Sequence, residues 1–290
     1  MNNKRTIGVI GGGFVGRAIA RGFNLFANVK LYDIQPERAS HTFEETVDSD
    51  FVFLCLPTPM NENGEADISA IDKFFLSLSE MSAEAFEKAK KPIYIVKSTV
   101  PIGTTQWLAN EFSHLKIVHN PEFLTARSAC LDFVIPARHV VGGEPELRKE
   151  VVQLLSERFP AVPCFEMTSD ESEFVKYCAN SFFATKVLFF NEMRLLADKM
   201  GLDWDSVLQG VLSDGRIAKS HTDVPGSDRD YGVGGICLPK DLNALINIMK
   251  SNGIDPKILE AVWSQNKEVR SNWDWLSSPS AFTNHEKQNS

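Results

Sequence analysis

Thr6-Ile7-Gly8-Val9-Ile10-Gly11-Gly12-Gly13-Phe14-Val15-Gly16 sets an apolar, β-branched run directly before Gly-x-Gly-x-x-Gly and opens an amphipathic stretch directly after it. Strand, tight turn and helix follow in that order. Gly11 permits the turn, Gly13 lets a pyrophosphate approach the backbone, and Gly16 lets helix pack on strand. The helix N-terminus at Phe14 and Val15 would stabilise the phosphates. Asp33, 22 residues after Gly11, ends the next strand candidate and would accept hydrogen bonds from ribose hydroxyls. A carboxylate there repels a 2′-phosphate, so the pattern favours NAD over NADP, with Arg38 the one nearby feature that suits NADP. An FAD-binding unit satisfies the same glycine pattern.

Working outward, β-rich runs alternate with amphipathic ones, the pattern of a parallel sheet with crossover helices. The strand candidates are Thr6 to Ile10, Val29 to Tyr32, Phe51 to Leu56, Ile93 to Lys97, Lys116 to His119, His139 to Val141 and Pro163 to Phe165. Helices are expected over Phe14 to Phe26, Ile68 to Lys90, Thr104 to Phe112 and Pro145 to Phe159. Pro57-Thr58-Pro59 and Lys97-Ser98-Thr99-Val100-Pro101 each begin at the carboxyl end of a strand, the edge where such sheets bind ligands. From Asp170 the texture becomes helical, and Asp170 with Glu173 reads as a capping box for a helix reaching about Met200. The expected architecture is α/β: a Rossmann-like, doubly wound parallel sheet over 1–168 followed by an all-helical dimerisation domain over 169–270. The polar segment 271–290 reads as a flexible tail.

Composition narrows the function classes. Of 290 residues, 43% are hydrophobic and 23% charged, and the net charge is −8, with no basic cluster interleaved with aromatics. Nucleic acid and anionic membranes are therefore unfavoured partners, and a small molecule is favoured. Five cysteines at irregular spacing, with no Cys-x-x-Cys, point to a reducing, cytoplasmic setting and no structural metal. No apolar run reaches about 18 residues, so no membrane span is expected.

One thiol stands apart. Cys237 lies in Gly232-Val233-Gly234-Gly235-Ile236-Cys237-Leu238-Pro239-Lys240-Asp241, a glycine-softened loop running into a helix. With Pro239 as first helical residue, Cys237 would sit beside unpaired N–H groups with Lys240 close by, and both favour thiolate. The competing reading is a small buried hydrophobe.

The glycine turn at 11–16, Pro57-Thr58-Pro59, Lys97 to Thr104, Asn120-Pro121-Glu122-Phe123-Leu124, Glu173 to Glu192 with Lys176 and Asn180, Arg216-Ile217, and Gly234 to Asp241 together resemble the UDP-glucose/GDP-mannose dehydrogenase family, in family order. The resemblance implies a four-electron oxidation of a nucleotide-sugar 6-hydroxyl to a carboxylate with two NAD, UDP-glucose to UDP-glucuronate being the expected case. It implies that Cys237 forms a thiohemiacetal and then a thioester, and that Lys176 and Asn180, four apart on one helix face, stabilise the oxyanion. It implies that Asp241 and Thr99 position the hydrolytic water, with Glu122 as a base whose pKa burial must raise. Thr99 also falls on the cofactor side with Pro57 and Thr58. Phe123, Leu124 and Gly234 would line the sugar pocket, and Arg216 would contact substrate across a dimer interface unless it only pairs with Asp214.

Two departures qualify the resemblance. Many relatives carry a second acid four residues past Glu122, where this chain has Ala126. The family's third, nucleotide-holding domain would begin where this chain ends, so an active enzyme would have it replaced by a dimer partner, a separate chain or a simpler substrate. The helix face carrying Phe182, Phe183, Leu188, Phe189 and Leu195 implies a homodimer, or equally an internal core. Two other functions compete: a non-catalytic dinucleotide-binding protein, and a two-electron β-hydroxyacid-type dehydrogenase, which does not require Cys237.

Overall fold

The computed structural model describes residues 4–283; the end of the expected tail, 284–290, lies outside the described residues. The chain divides into two compact units, Met1–Thr58 with Ile68–Lys176, and Pro59–Asp67 with Tyr177–Ser290. In this division the excursion 59–67 goes with the second unit.

In the first unit seven strands, β1 (Thr6–Ile10), β2 (Asn28–Tyr32), β3 (Phe51–Leu54), β4 (Ile93–Val96), β5 (Lys116–His119), β6 (His139–Gly142) and β7 (Cys164–Met167), form one sheet in the order β2-β1-β3-β4-β5-β6-β7. Neighbours are parallel except β5 and β6, which pair antiparallel at His119 and Gly142. Helices α1 (Phe14–Phe23), α2 (Phe43–Val47), α3 (Ser69–Ser79), α4 (Ala83–Ala89), α5 (Thr104–Glu111), α6 (Ala129–Val134) and α7 (Pro145–Arg158) accompany it. The central strands are apolar throughout because both faces are covered. Phe53, Ile95 and Val118 pack with Ile19 and Phe23 of α1 and Leu154 of α7. Val52, Leu54, Tyr94 and Ile117 point the other way, onto Phe74, Phe75 and Leu78 of α3. Burying a side chain such as Phe23 contributes roughly 1.5–3 kcal/mol.

Two local readings change. The helix expected over Ile68 to Lys90 is broken into α3 and α4, the second opened by the Ser82 hydroxyl accepting from the Ala85 N–H. Helix α8 (Ser169–Met200) starts one residue before Asp170. Its capping exchange runs between Thr168 and Glu171, at 2.7 Å to the carboxylate and 3.3 Å to the hydroxyl.

Helix α8 continues unbroken into the second unit and ends at Gly201, whose φ of +66° stops it. The second unit adds α9 (Trp204–Leu212), capped by Asp203, then α10 (Cys237–Ser251) and α11 (Lys257–Val269). Ala184 and Leu188 of α8 pack with Leu242 and Ile246 of α10 and Val262 of α11. Part of the segment read as a flexible tail is packed: Trp275 is 1% exposed and meets Trp263 at 5.4 Å between ring centroids. Backbone bonds then join Met60 to Ala281 and Thr283, each at 2.9 Å. Two tryptophans in a polar stretch outweigh its composition. Among the described residues no helix is long and apolar enough to cross a membrane.

Candidate active site

The turn after β1 is shaped for close approach. Gly11 has φ of +99°, and a Cβ there would collide with the Cys55 carbonyl. A Cβ at Gly16 would strike the Gly11 carbonyl, whereas Gly13 faces open space with nothing within 4 Å. Phe14 and Val15 form the first turn of α1, which carries no acid to offset the positive end of the helix. Asp33, just past β2, accepts the Gly12 N–H at 2.5 Å and the Gln35 N–H at 2.8 Å. Arg38 is exposed in the following 3-10 turn, with its Cβ beside Gly12. At the neighbouring strand ends Pro57 is exposed, and the buried Thr58 hydroxyl donates to the Thr99 carbonyl at 2.7 Å. An open Gly13 backbone, a free helix end and a carboxylate one strand over fit a dinucleotide with an unphosphorylated ribose.

Within the same unit β5 delivers Asn120 to Leu124, where a buried charge cluster forms. The Lys176 ammonium, on α8, donates to Glu122 Oε1 at 2.9 Å and to the Glu122 carbonyl at 2.7 Å. Both side chains are more than nine-tenths buried. Burial pushes the Glu122 carboxyl up, but the Lys176 charge and the Leu124 N–H at 2.5 Å outweigh it, and the net shift is downward. The raised pKa expected of a general base is therefore not what this carboxylate has. Phe123 lies under the Arg138 guanidinium, 3.9 Å from the ring centroid, and Ala126 opens an exposed 3-10 turn.

Sequence reasoning passed over a second buried lysine. Lys97 is 4% exposed and its ammonium donates to Asn120 Oδ1 at 2.8 Å and to the Pro121 carbonyl at 3.1 Å, fixing the turn that presents Glu122. Burial brings it down to about 8, although Cys55 and Glu122 pull it up. A lysine ending an otherwise apolar strand was the available signal. Glu173 was also misassigned: its carboxylate accepts from Gly103 N–H, Thr105 N–H and the Thr105 hydroxyl at 2.6–2.8 Å, capping α5 from a distant part of the chain.

These buried groups make stability depend on pH. Burial first, then the Lys97 charge, pushes His119 down to about 3 and His139 down to about 4. A folded value below the unfolded one, near 6.5, means the stabilisation is complete above that pH and is lost as pH falls toward the folded value. Glu173, pushed by burial up to about 7, works oppositely: its contribution is full below about 4.5 and is lost as pH rises through 7. Replacing His119, which bonds the Ser172 hydroxyl at 2.8 Å, by glutamine is expected to flatten the decline in unfolding free energy between pH 6 and 4.5 by about 1 kcal/mol per pH unit. Urea unfolding midpoints across that window check it; an unchanged slope rejects the assignment.

In the second unit Cys237 is half-buried and is the first residue of α10; helix formation begins two residues before Pro239. Ile236, at the N-cap of this helix, makes no side-chain capping bond. Lys240, expected to favour the thiolate, donates to Asp241 Oδ1 at 2.6 Å. The other Asp241 oxygen accepts from Asn180 Nδ2, also at 2.6 Å, and Asn180, Lys240 and Asp241 are all buried. Gly234 presses on the Arg270 guanidinium, which a Cβ would strike. Arg216 is 89% exposed and forks onto Asp214 at 2.9 and 2.5 Å. Among the described residues no cluster of three or more His, Cys, Asp or Glu side chains could hold a metal.

Residues 37–160 match the UDP-glucose/GDP-mannose dehydrogenase family NAD binding domain, and residues 170–268 match its central domain. The UDP-glucose 6-dehydrogenase of Rickettsia bellii is 36% identical over 238 residues, covering 78% of this chain and 51% of the relative. The chain spans about half the length of the curated relatives it matches. A UDP-glucose dehydrogenase from Pyrobaculum islandicum superposes with a TM-score of 0.77 at 30% identity, over 91% of this chain and 68% of the other. The 3-hydroxyisobutyrate dehydrogenase of Mycobacterium tuberculosis, at 17% identity and a TM-score of 0.72, shares the fold over 93% of this chain and 96% of its own. The chain thus belongs to the UDP-glucose/GDP-mannose dehydrogenase family, and its first unit is that family's NAD-binding domain.

Proposed function

We propose that this chain oxidises the 6-hydroxyl of a nucleotide sugar to a carboxylate, most fittingly UDP-glucose to UDP-glucuronate. One observation carries the reading: Lys176 and Asn180, one turn apart on α8, are both buried and each is held by a carboxylate from another segment, Glu122 and Asp241. Sequestering an ammonium, an amide and two acids costs free energy that apolar packing would not, and such sites cluster where charge develops in a reaction.

In this reading the Lys176 ammonium and the Asn180 amide donate to the C6 oxygen, stabilising alkoxide and tetrahedral oxyanion alike. NAD, when bound, supplies the acceptor for a hydride at each of the two oxidations. The Cys237 thiolate adds to the aldehyde carbon, forming the C–S bond of a thiohemiacetal that still carries a hydrogen at C6. Loss of that hydrogen leaves a thioester; water adds to its carbonyl, the C–S bond breaks, and the thiolate and a carboxylate return. Glu122 stays ionised and orients Lys176, while Asp241 and Thr99 hold the water. Phe182 and Phe189, 63% and 54% exposed on α8, support a homodimer through that face; a chain that sediments as a monomer removes that part.

The deciding measurement is NADH formed per sugar consumed with UDP-glucose, GDP-mannose and UDP-N-acetyl sugars offered separately. Two per UDP-glucose is expected. One per sugar establishes a two-electron enzyme instead, and none with any sugar, while NAD still binds, leaves a dinucleotide-binding protein.

A further inference from the structure

Arg270 caps the end of α11, and its guanidinium is 2% exposed beneath the loop that leads to Cys237. Nε donates to the Asn272 carbonyl at 2.8 Å, Nη1 to the Tyr231 carbonyl at 3.2 Å, and Nη2 to Asp228 at 2.6 Å and Asp274 at 3.3 Å. Asp274 also accepts the Gly235 N–H, its two oxygens 3.1 and 3.0 Å away. Asn266 brackets Val233, accepting its N–H at 2.7 Å and donating to its carbonyl at 3.1 Å, and Asn191 accepts the Gly232 N–H at 2.7 Å. Gly232 and Gly235, with φ of +69° and +74°, would otherwise leave this segment many conformations. Tyr231, Gly232, Val233 and Gly235 are thereby held, Gly234 lies against the Arg270 guanidinium, and the chain enters α10 two residues later.

We propose that Arg270 and Asp274 are positioning residues for Cys237: together they clamp Gly234 and Gly235 so that the sulfur is presented at the first turn of α10. Only a planar fork can reach two carbonyls and two carboxylates at once, which is why arginine rather than lysine suits the place. The inference rests on Cys237 being the nucleophile of the proposed reaction, but its test reads the thiol alone and needs no turnover.

The chain is treated with iodoacetamide near neutral pH and the alkylation rate of each cysteine is followed by mass spectrometry. Cys178, exposed on α8, supplies an internal reference. Cys55, whose thiol burial pushes up to about 12, reports unfolding by becoming reactive. Arg270→Ala is expected to slow Cys237 about tenfold relative to Cys178, and millimolar guanidinium, unlike sodium chloride, to restore it. Asp274→Asn separates position from field: losing a negative charge alone would favour the thiolate and speed alkylation, so slowing reports lost placement. Should Arg270→Ala unmask Cys55, the half-exposed Asp274 decides the matter. A Cys237 to Cys178 ratio that is unchanged or raised in Asp274→Asn, with Cys55 still protected, overturns the proposal. Slowing in a chain that makes no NADH from any sugar upholds the clamp and rejects the dehydrogenase reading.

Discussion

Alanine in place of Cys237 is expected to lower acid formation from UDP-glucose by at least about a thousandfold, while NAD affinity and the unfolding midpoint stay close to those of the parent. The size follows from what an aldehyde lacks: its carbonyl carbon has no hydride to give until a nucleophile has added. A thiolate at the start of a helix is far better placed for that addition than a passing water. The stability change is expected below about 1 kcal/mol, because the side chain is half-buried and small. Cys237→Ser should lie between, since an oxygen ester can form but forms slowly. An aldehyde hydrate offers a route that avoids sulfur altogether. If the alanine variant still yields two NADH per sugar at the parent rate, that route is the real one and the thioester is not. If NAD affinity falls with activity, Cys237 supports the fold rather than the chemistry.

The sheet was legible because its strands obey a strong physical rule. Phe51–Leu54 and Ile93–Val96 are apolar at every position, as strands covered on both faces must be, and short enough not to read as helix. The glycine turn was equally readable, since Gly11 and Gly16 meet backbone where no Cβ fits. Reading failed where a residue's partner is remote. Asp170 and Glu173 have capping-box spacing, but so do Thr168 and Glu171, and local sequence cannot say that Glu173 is claimed by Gly103 and Thr105. Burial of Glu122 was foreseeable, whereas the sign of its shift depended on Lys176, and opposing contributions of similar size cannot be ranked without distances. The Arg270 clamp was hidden for the same reason: its two acids come from separate segments, Asp228 before α10 and Asp274 after α11.

Lys176→Met should both unfold more easily and turn over more slowly, and the two losses should part company in a double variant. Removing the ammonium strands Glu122, 6% exposed, as a buried carboxylate without its cation. Breaking such a pair from one side costs about 3–5 kcal/mol, whereas replacing both partners by neutral groups of similar size is close to neutral. Lys176→Met is therefore expected to lose that amount in urea unfolding at pH 7. Lys176→Met with Glu122→Gln should recover most of it. Turnover should behave differently, because the ammonium is the charge that meets the developing oxyanion: a fall of about a hundredfold to a thousandfold is expected in the single variant, with no recovery in the double. Glu122's lowered pKa adds a check on the parent, whose contribution from this pair is full above about pH 4.5 and is lost as pH falls below it. Recovery of turnover together with stability would mean that Lys176 serves the fold and only balances Glu122. Loss of turnover without loss of stability would mean that the pair is not buried in solution, since an exposed ion pair contributes about 0–1 kcal/mol.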